Sequence, residues 1–301
     1  MPTTGSSARN ALVAAALLSA GAGAGLVRAQ ATDVSAVLAR VGERVSDYYK
    51  RVQNIVCNEK AIVQPMTSGM SFSPGAFARI TESELRIESE VGDGDAPNEA
   101  TVVRTLLKVN GRPPREKDKT DAAGCTDPNP LAPEPLAFLL PKNQGNYKFT
   151  FVGFGKGKDS GAILIDFLSP GTRDPGKLVE DPNGHADCFS WELPSAMKGR
   201  VWIDATTFDV LRVEQHLTGP GSLRVSIEQQ RKHMLPDWIT IERYDKTIRL
   251  KKAAFKDPDE TMLLPESIES LILVRNGLQS IRKEQRFTDY RRFLTTGRIV
   301  K

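Results

Sequence analysis

Histidine is scarce in this chain. Its three copies, His185, His216 and His233, lie too far apart for any two to share a helical face at the i, i+4 spacing of a zinc-dependent hydrolase. There is no G-x-S-x-G elbow, so nothing marks a serine hydrolase of the α/β kind. The cluster Gly155-Lys156-Gly157-Lys158 lacks Walker spacing and its closing Lys-Ser/Thr, and reads as a hairpin turn. Asp93-Gly94-Asp95 lacks the closing glutamate of a calcium loop and reads as a solvated hairpin tip. Charge of one sign is lacking too. A net +4, from 41 Lys and Arg against 37 Asp and Glu, suits an ordinary surface and argues against a nucleic-acid partner. No catalytic residue, metal ligand or cofactor is therefore expected, and a secreted hydrolase with a dispersed site ranks last among the readings of function.

Cysteine is limited to Cys57, Cys125 and Cys188, with no close pair of the zinc or redox type. In an oxidising compartment three cysteines suggest one disulfide and one remaining thiol. Cys125 with Cys188 is the favoured pair, because Cys125 lies in a proline-rich loop that needs anchoring, although sequence alone does not encode connectivity.

Long apolar runs are absent except at the start. Arg9 precedes a run from Ala11 to Val27 made mostly of Ala, Leu and Gly, and Val27-Arg28-Ala29 then precedes Gln30. A short, glycine-broken run followed by small residues reads as a secretory signal peptide cut near Ala29, in preference to a membrane anchor. No cysteine follows the run, so a lipid-attachment site is not supported. Loss of Arg9 and Arg28 with the leader leaves a charge near +2. What remains, residues 30 to 301, suits a single β domain with a proline-rich insertion at 112–135.

The remaining chain opens on a helix. Val37, Leu38, Val41, Val45, Tyr48 and Val52 recur at steps of three and four and form one apolar stripe, and Thr32 and Asp33 offer capping oxygens. Strand patterns follow at 59–64, 77–88, 101–109, 147–154, 162–168, 188–193, 222–229, 238–250 and 263–275. Asn110-Gly111 and Asn276-Gly277 are turn dipeptides, the second between strands at 268–274 and 278–290. Pro-Leu136-Ala-Phe138-Leu139-Leu-Pro is either one turn of core helix or a lid over a cavity.

The richest stretch is Gly199 to Leu217. Val201 and Ile203 point to one face, and Arg200, Trp202 and Asp204 to the other. After a polar turn, Leu211, Val213 and Leu217 oppose Val210, Arg212, Glu214 and His216. Asp204 and Asp209 flank the turn, where such carboxylates bond their own backbone. Trp191, Trp202 and Trp238 each sit on or beside a strand, either packed in the core or lining a pocket. The fold class expected is mainly β (α+β): a strongly curved antiparallel sheet or half-barrel, with the amphipathic helix and short helices over its concave face.

The pattern G-R-V-W-I-D-x-x-T-x-x-V-L-R from Gly199 to Arg212 resembles the strand pair of the LolA/LolB-like superfamily of outer-membrane lipoprotein carriers and periplasmic sigma-factor-regulator sensing domains. The opening helix, the Tyr147-to-Pro170 segment and the closing Phe287-Thr288-Asp289-Tyr290-Arg291-Arg292-Phe293 are similar as well. The resemblance implies a half-open curved sheet whose apolar face receives acyl chains, in an exported protein of a Gram-negative-type bacterium, periplasmic or secreted. It implies a lipid or lipoprotein acyl chain as ligand, with at most peripheral contact with membrane components. The apolar face and lid would be Val201, Ile203, Leu211, Val213, Trp202, Leu136, Phe138 and Leu139, in a carrier without catalysis. The other open reading is a stress-sensing or assembly module that binds an envelope protein partner.

Overall fold

The computed structural model describes residues 33–52, 54–89, 100–116, 118, 136–172, 174–180, 189–192, 195–256 and 259–292. The leader, the Asp93-Gly94-Asp95 tip, His185, most of the proline-rich insertion and the favoured disulfide partners Cys125 and Cys188 lie outside the described residues.

Helix α1 (Val34–Arg51) starts where Asp33 accepts a hydrogen bond from the Ser35 amide at 2.9 Å, and it ends with Lys50 and Arg51 on its negative dipole end. Its stripe buries Val37, Leu38, Val41 and Val45. Thirteen strands follow among the described residues: β1 (Ile55–Met66), β2 (Arg79–Ser89), β3 (Ala100–Val109), β4 (Lys148–Phe154), β5 (Ala162–Leu168), β6 (Gly176–Glu180), β7 (Phe189–Glu192), β8 (Met197–Asp204), β9 (Val210–Leu217), β10 (Gly221–Arg224), β11 (Trp238–Lys256), β12 (Asp259–Arg275) and β13 (Ser280–Arg292). Among the described residues there are also two short helices, α2 (Pro141–Gln144) and α3 (Ile227–His233), and two 3-10 turns, Ala137–Leu139 and Gly157–Asp159.

All thirteen strands join one sheet in the order β3-β2-β1-β13-β12-β11-β9-β8-β5-β4, with β10, β6 and β7 branching from β11. Pairing is antiparallel throughout except between β6 and β10. Register shifts fall between Val56 and Asn58, Glu82 and Ser83, Phe151 and Gly153, Trp202 and Ile203, Ile241 and Arg243, and Arg249 and Leu250. Each such bulge adds local twist and bend, and six of them curve this open sheet around its apolar face. The expected fold class is the one observed.

Local chemistry explains the turns. Asn110 and Gly111 have φ of 48° and 79°, and Asn276 and Gly277 have 68° and 78°, the left-handed pair that a tight hairpin needs. Gly199 answers a different demand. A Cβ there would fall 1.9 Å from the Glu214 carbonyl oxygen and 2.5 Å from the Phe167 ring, which crosses the glycine.

Two expectations are corrected. The strand expected at 222–229 stops at Arg224, and the chain enters α3, because Ser226 and Gln229 form a capping box with bonds of 3.2 and 3.1 Å. The stretch between the strands expected at 162–168 and 188–193, to which the sequence pattern assigns no strand, contains β6. It pairs antiparallel with β7, the next strand, and in parallel with β10, which is distant in sequence.

Apolar side chains gather in three clusters. The largest lies between α1, residues 136–140 and the sheet, the second beneath β6, β10 and the start of β11, and the third near Ile55, Phe255, Met262 and Leu264. Among the described residues, no helix is long and apolar enough to cross a membrane.

Candidate functional site

The candidate site is the buried face of the sheet together with its cover. The cover is two pieces of chain stapled together. Gly42 gives α1 a notch, since a Cβ there would meet Gln144 Nε2 at 2.9 Å and Pro141 Cγ at 3.0 Å. Gln144 fills the notch and donates to the carbonyls of Leu38 and Leu139 at 2.9 and 2.7 Å. The Leu136 amide donates to the Tyr49 hydroxyl at 3.0 Å. To the sheet the cover is tied by polar contacts at its rim. Arg44 donates to the Thr207 carbonyl at 2.9 Å, Arg40 lies 4.8 Å over the Phe208 ring, and Arg51 pairs with Glu260 at 2.7 Å.

Beneath the cover the surface is hydrocarbon. Val201, Ile203 and Val213 are fully buried, beside Val210, Ile163, Ile165, Phe167, Ile248 and Leu250. From above come Leu136, Phe138 and Leu139, all buried. Phe138 stacks on Phe167 with ring centroids 4.7 Å apart and on Tyr147 at 5.6 Å. Six of the sequence-predicted residues are thus brought together. Leu211 is not among them. It is the extra residue of a bulge, because Trp202 pairs with Arg212 and Ile203 with Val210, so Val210 takes the core place expected for Leu211. Trp202 is buried on the outward side of β8, where Arg212 lies 3.6 Å over its ring.

Toward β1, β2 and β13 the buried face changes character. Glu59 on β1, 2% exposed, accepts two bonds from Arg104 on β3, at 2.9 and 3.3 Å, and one from Gln285 on β13 at 2.8 Å. Ser83, the β2 register partner of Glu59, is also buried, and its hydroxyl finds no partner among the described residues. Two residues before Glu59 the Cys57 thiol is buried, and burial, reinforced by the Glu59 charge, pushes its pKa up to about 12. A thiol held protonated is a poor nucleophile, and the carboxylate beside it is committed to Arg104 and Gln285. One sequence signal pointed here. Glu59 occupies the inward register of Cys57, Ala61 and Val63, where a charge is out of place.

The remaining polar groups singled out from sequence have structural partners. Asp204 accepts from the Thr206 and Thr207 amides at 2.8 Å each, and Asp209 from the Thr207 hydroxyl at 2.7 Å. His216 bonds Asp245 at 2.8 Å and His233 bonds Glu180 at 3.3 Å. Among the described residues, no three His, Cys, Asp or Glu side chains converge as a metal-binding group.

Against known proteins, no family model matches the sequence, and no curated protein matches it. One solved structure is similar: a LolA superfamily protein of Nitrosomonas europaea. The likeness spans 88% of this chain and 97% of that one, at 9% identity and a TM-score of 0.34. At that score it carries no argument about activity. The site has to be read from its own geometry.

Proposed function

We propose that this chain is an exported binding or carrier protein that holds an apolar ligand, a lipid or acyl chain, between the curved sheet and the α1/136–144 cover, without catalysis. One observation supports the reading above the rest. The dry face of an open sheet is closed by two short, separable pieces of chain and not by a second sheet. Their apolar side chains, Val37, Leu38, Val41, Phe138 and Leu139, occupy space that a hydrocarbon chain of similar volume would fill once the cover swings away. The rim contacts holding the cover are mostly exposed hydrogen bonds and ion pairs, which contribute little against displacement.

The test is binding of a fluorescent fatty acid, cis-parinaric acid, to the full-length protein and to Gln144→Ala. The substitution removes both bonds from Gln144 to the backbone and loosens the cover. Saturable binding to the protein, tightened about tenfold in the variant, is expected. Failure of both proteins to bind the probe overturns the carrier.

A second reading rests on β4. This strand ends the sheet, and Val152 and Phe154 on it are exposed at 44% and 57%. An edge with apolar side chains and no further strand on it among the described residues suits strand addition by a protein partner.

A further inference from the structure

A second concavity lies away from the covered face. A cavity of about 540 Å³ opens where β6, β10, α3 and the start of β11 meet. Leu178 and Val225 line it, 6% and 2% exposed, and both belong to the second apolar cluster.

Strand register sets a row of three side chains on this cavity. Lys177 and Arg224 are partners across the parallel β6/β10 pair, and Arg224 and Trp238 are partners across the antiparallel β10/β11 pair. Register partners project from the same face, so cation, cation and indole stand side by side, and all three line the cavity. Like charges in this position repel. Neither the Lys177 nor the Arg224 side chain forms a hydrogen bond or ion pair with a described residue. Elsewhere on this sheet the half-buried Arg200 and Arg249 are paired, with Asp166 and Glu269. Asp237 is the one carboxylate of the lining.

The rest of the wall is already spent on structure. Gln229 donates to the Leu178 carbonyl at 3.1 Å and Gln230 to the Val225 carbonyl at 3.0 Å, so their amides brace the cavity. What is left free for a ligand is two cations, an indole 43% exposed, and Ile227, 67% exposed. A bare anion would use the cations and waste the indole. A neutral hydrocarbon would do the reverse.

We infer that this cavity binds an anionic amphiphile, its phosphate held between Lys177 and Arg224 and its apolar body against Trp238 and Ile227. The guanidinium fork suits a phosphate, and the indole and isoleucine suit the first carbons of a chain. This site stands apart from the covered face and does not depend on the carrier reading.

The experiment is calorimetric titration of the full-length protein with dodecyl phosphate below its micellar concentration. Dodecyl maltoside, with the same tail and a neutral head, and inorganic phosphate are titrated alongside. The variants are Lys177→Gln/Arg224→Gln, at exposed positions where folding is not at stake, and Gln144→Ala, which alters only the other site. Dodecyl phosphate is expected to bind about tenfold or more tightly than either comparison ligand. The double variant should lose that preference, and Gln144→Ala should keep it. Equal affinity for the two dodecyl compounds, a preference that survives in the double variant, or inorganic phosphate binding as tightly as dodecyl phosphate would each overturn the inference. Sedimentation with phosphatidylglycerol vesicles, set against phosphatidylcholine vesicles, distinguishes the sources. Loss of sedimentation in the double variant identifies a bilayer headgroup, and absence of sedimentation alongside dodecyl phosphate binding identifies a free amphiphile.

Discussion

The two ends of the buried face solve the same problem with different chemistry. Under α1 and residues 136–140, the strands β5, β8 and β9 meet the cover with hydrocarbon alone. On β1, β3 and β13 the same face carries Glu59, Arg104 and Gln285 in a closed hydrogen-bonded set. Hydrocarbon packing is non-directional and tolerates rearrangement at roughly constant volume. A buried ion pair is directional and tolerates the loss of neither partner. The apolar end can therefore exchange its contents, whereas the polar end fixes which strands lie side by side.

Removing one partner of the ion pair tests that contrast most severely. Arg104→Met strands the Glu59 carboxylate, and a loss of about 3–5 kcal/mol in urea unfolding is expected. Glu59→Met/Arg104→Met should recover most of it, since a hydrophobic pair in place of a buried ion pair is commonly near neutral. Equal losses in the single and double variants would erase the distinction between the two ends.

In the apolar end the expected effect is smaller and depends on volume. Leu139→Ala, at a fully buried position of the cover, should cost about 2–3 kcal/mol by transfer and cavity terms. Leu139→Met should cost less than about 1.5 kcal/mol. A methionine as damaging as the alanine would mean that this end, too, depends on shape.

The smallest effect is a chemical one at the border between the ends. With its pKa at about 12, Cys57 should take up no iodoacetamide at pH 8 in the native protein, and should react fully in guanidinium chloride, as read by mass spectrometry of its peptide. The sign follows from the raised value. Thiolate is disfavoured at every pH below it, so native labelling rises only in strong alkali. Rapid native labelling would show that the face opens near β1.

How much of this was legible in the sequence follows from the range of each interaction. The α1 stripe, the hairpin at Gly199 to Leu217 and both Asn-Gly turns depend on neighbours a few residues away, and their signals are local. Leu211 was misplaced because a bulge changes the alternation of a strand without changing its composition. Strand β6 was hidden because its partners in β10 lie almost fifty residues downstream and its own five residues carry little pattern. The site divides in the same way. Val201, Ile203 and Val213 could be placed by period two, but Glu59 meets Arg104 across 45 residues and Gln285 across 226, and only the fold unites them. The row formed by Lys177, Arg224 and Trp238 likewise exists only through strand register.

The sheet order has a consequence in time as well as in space. Strand β1 lies between β2 and β13, so the early strands, β1 to β3, join the rest of the sheet through the last one. Until residue 292 is available, β1 keeps an open edge and Glu59 lacks Gln285. Contacts of such sequence separation form slowly, because a long loop must close before any of them repays its cost. The chain is consequently one whose sheet stays incomplete until β13 has been made, and any binding face it carries comes into being in that step.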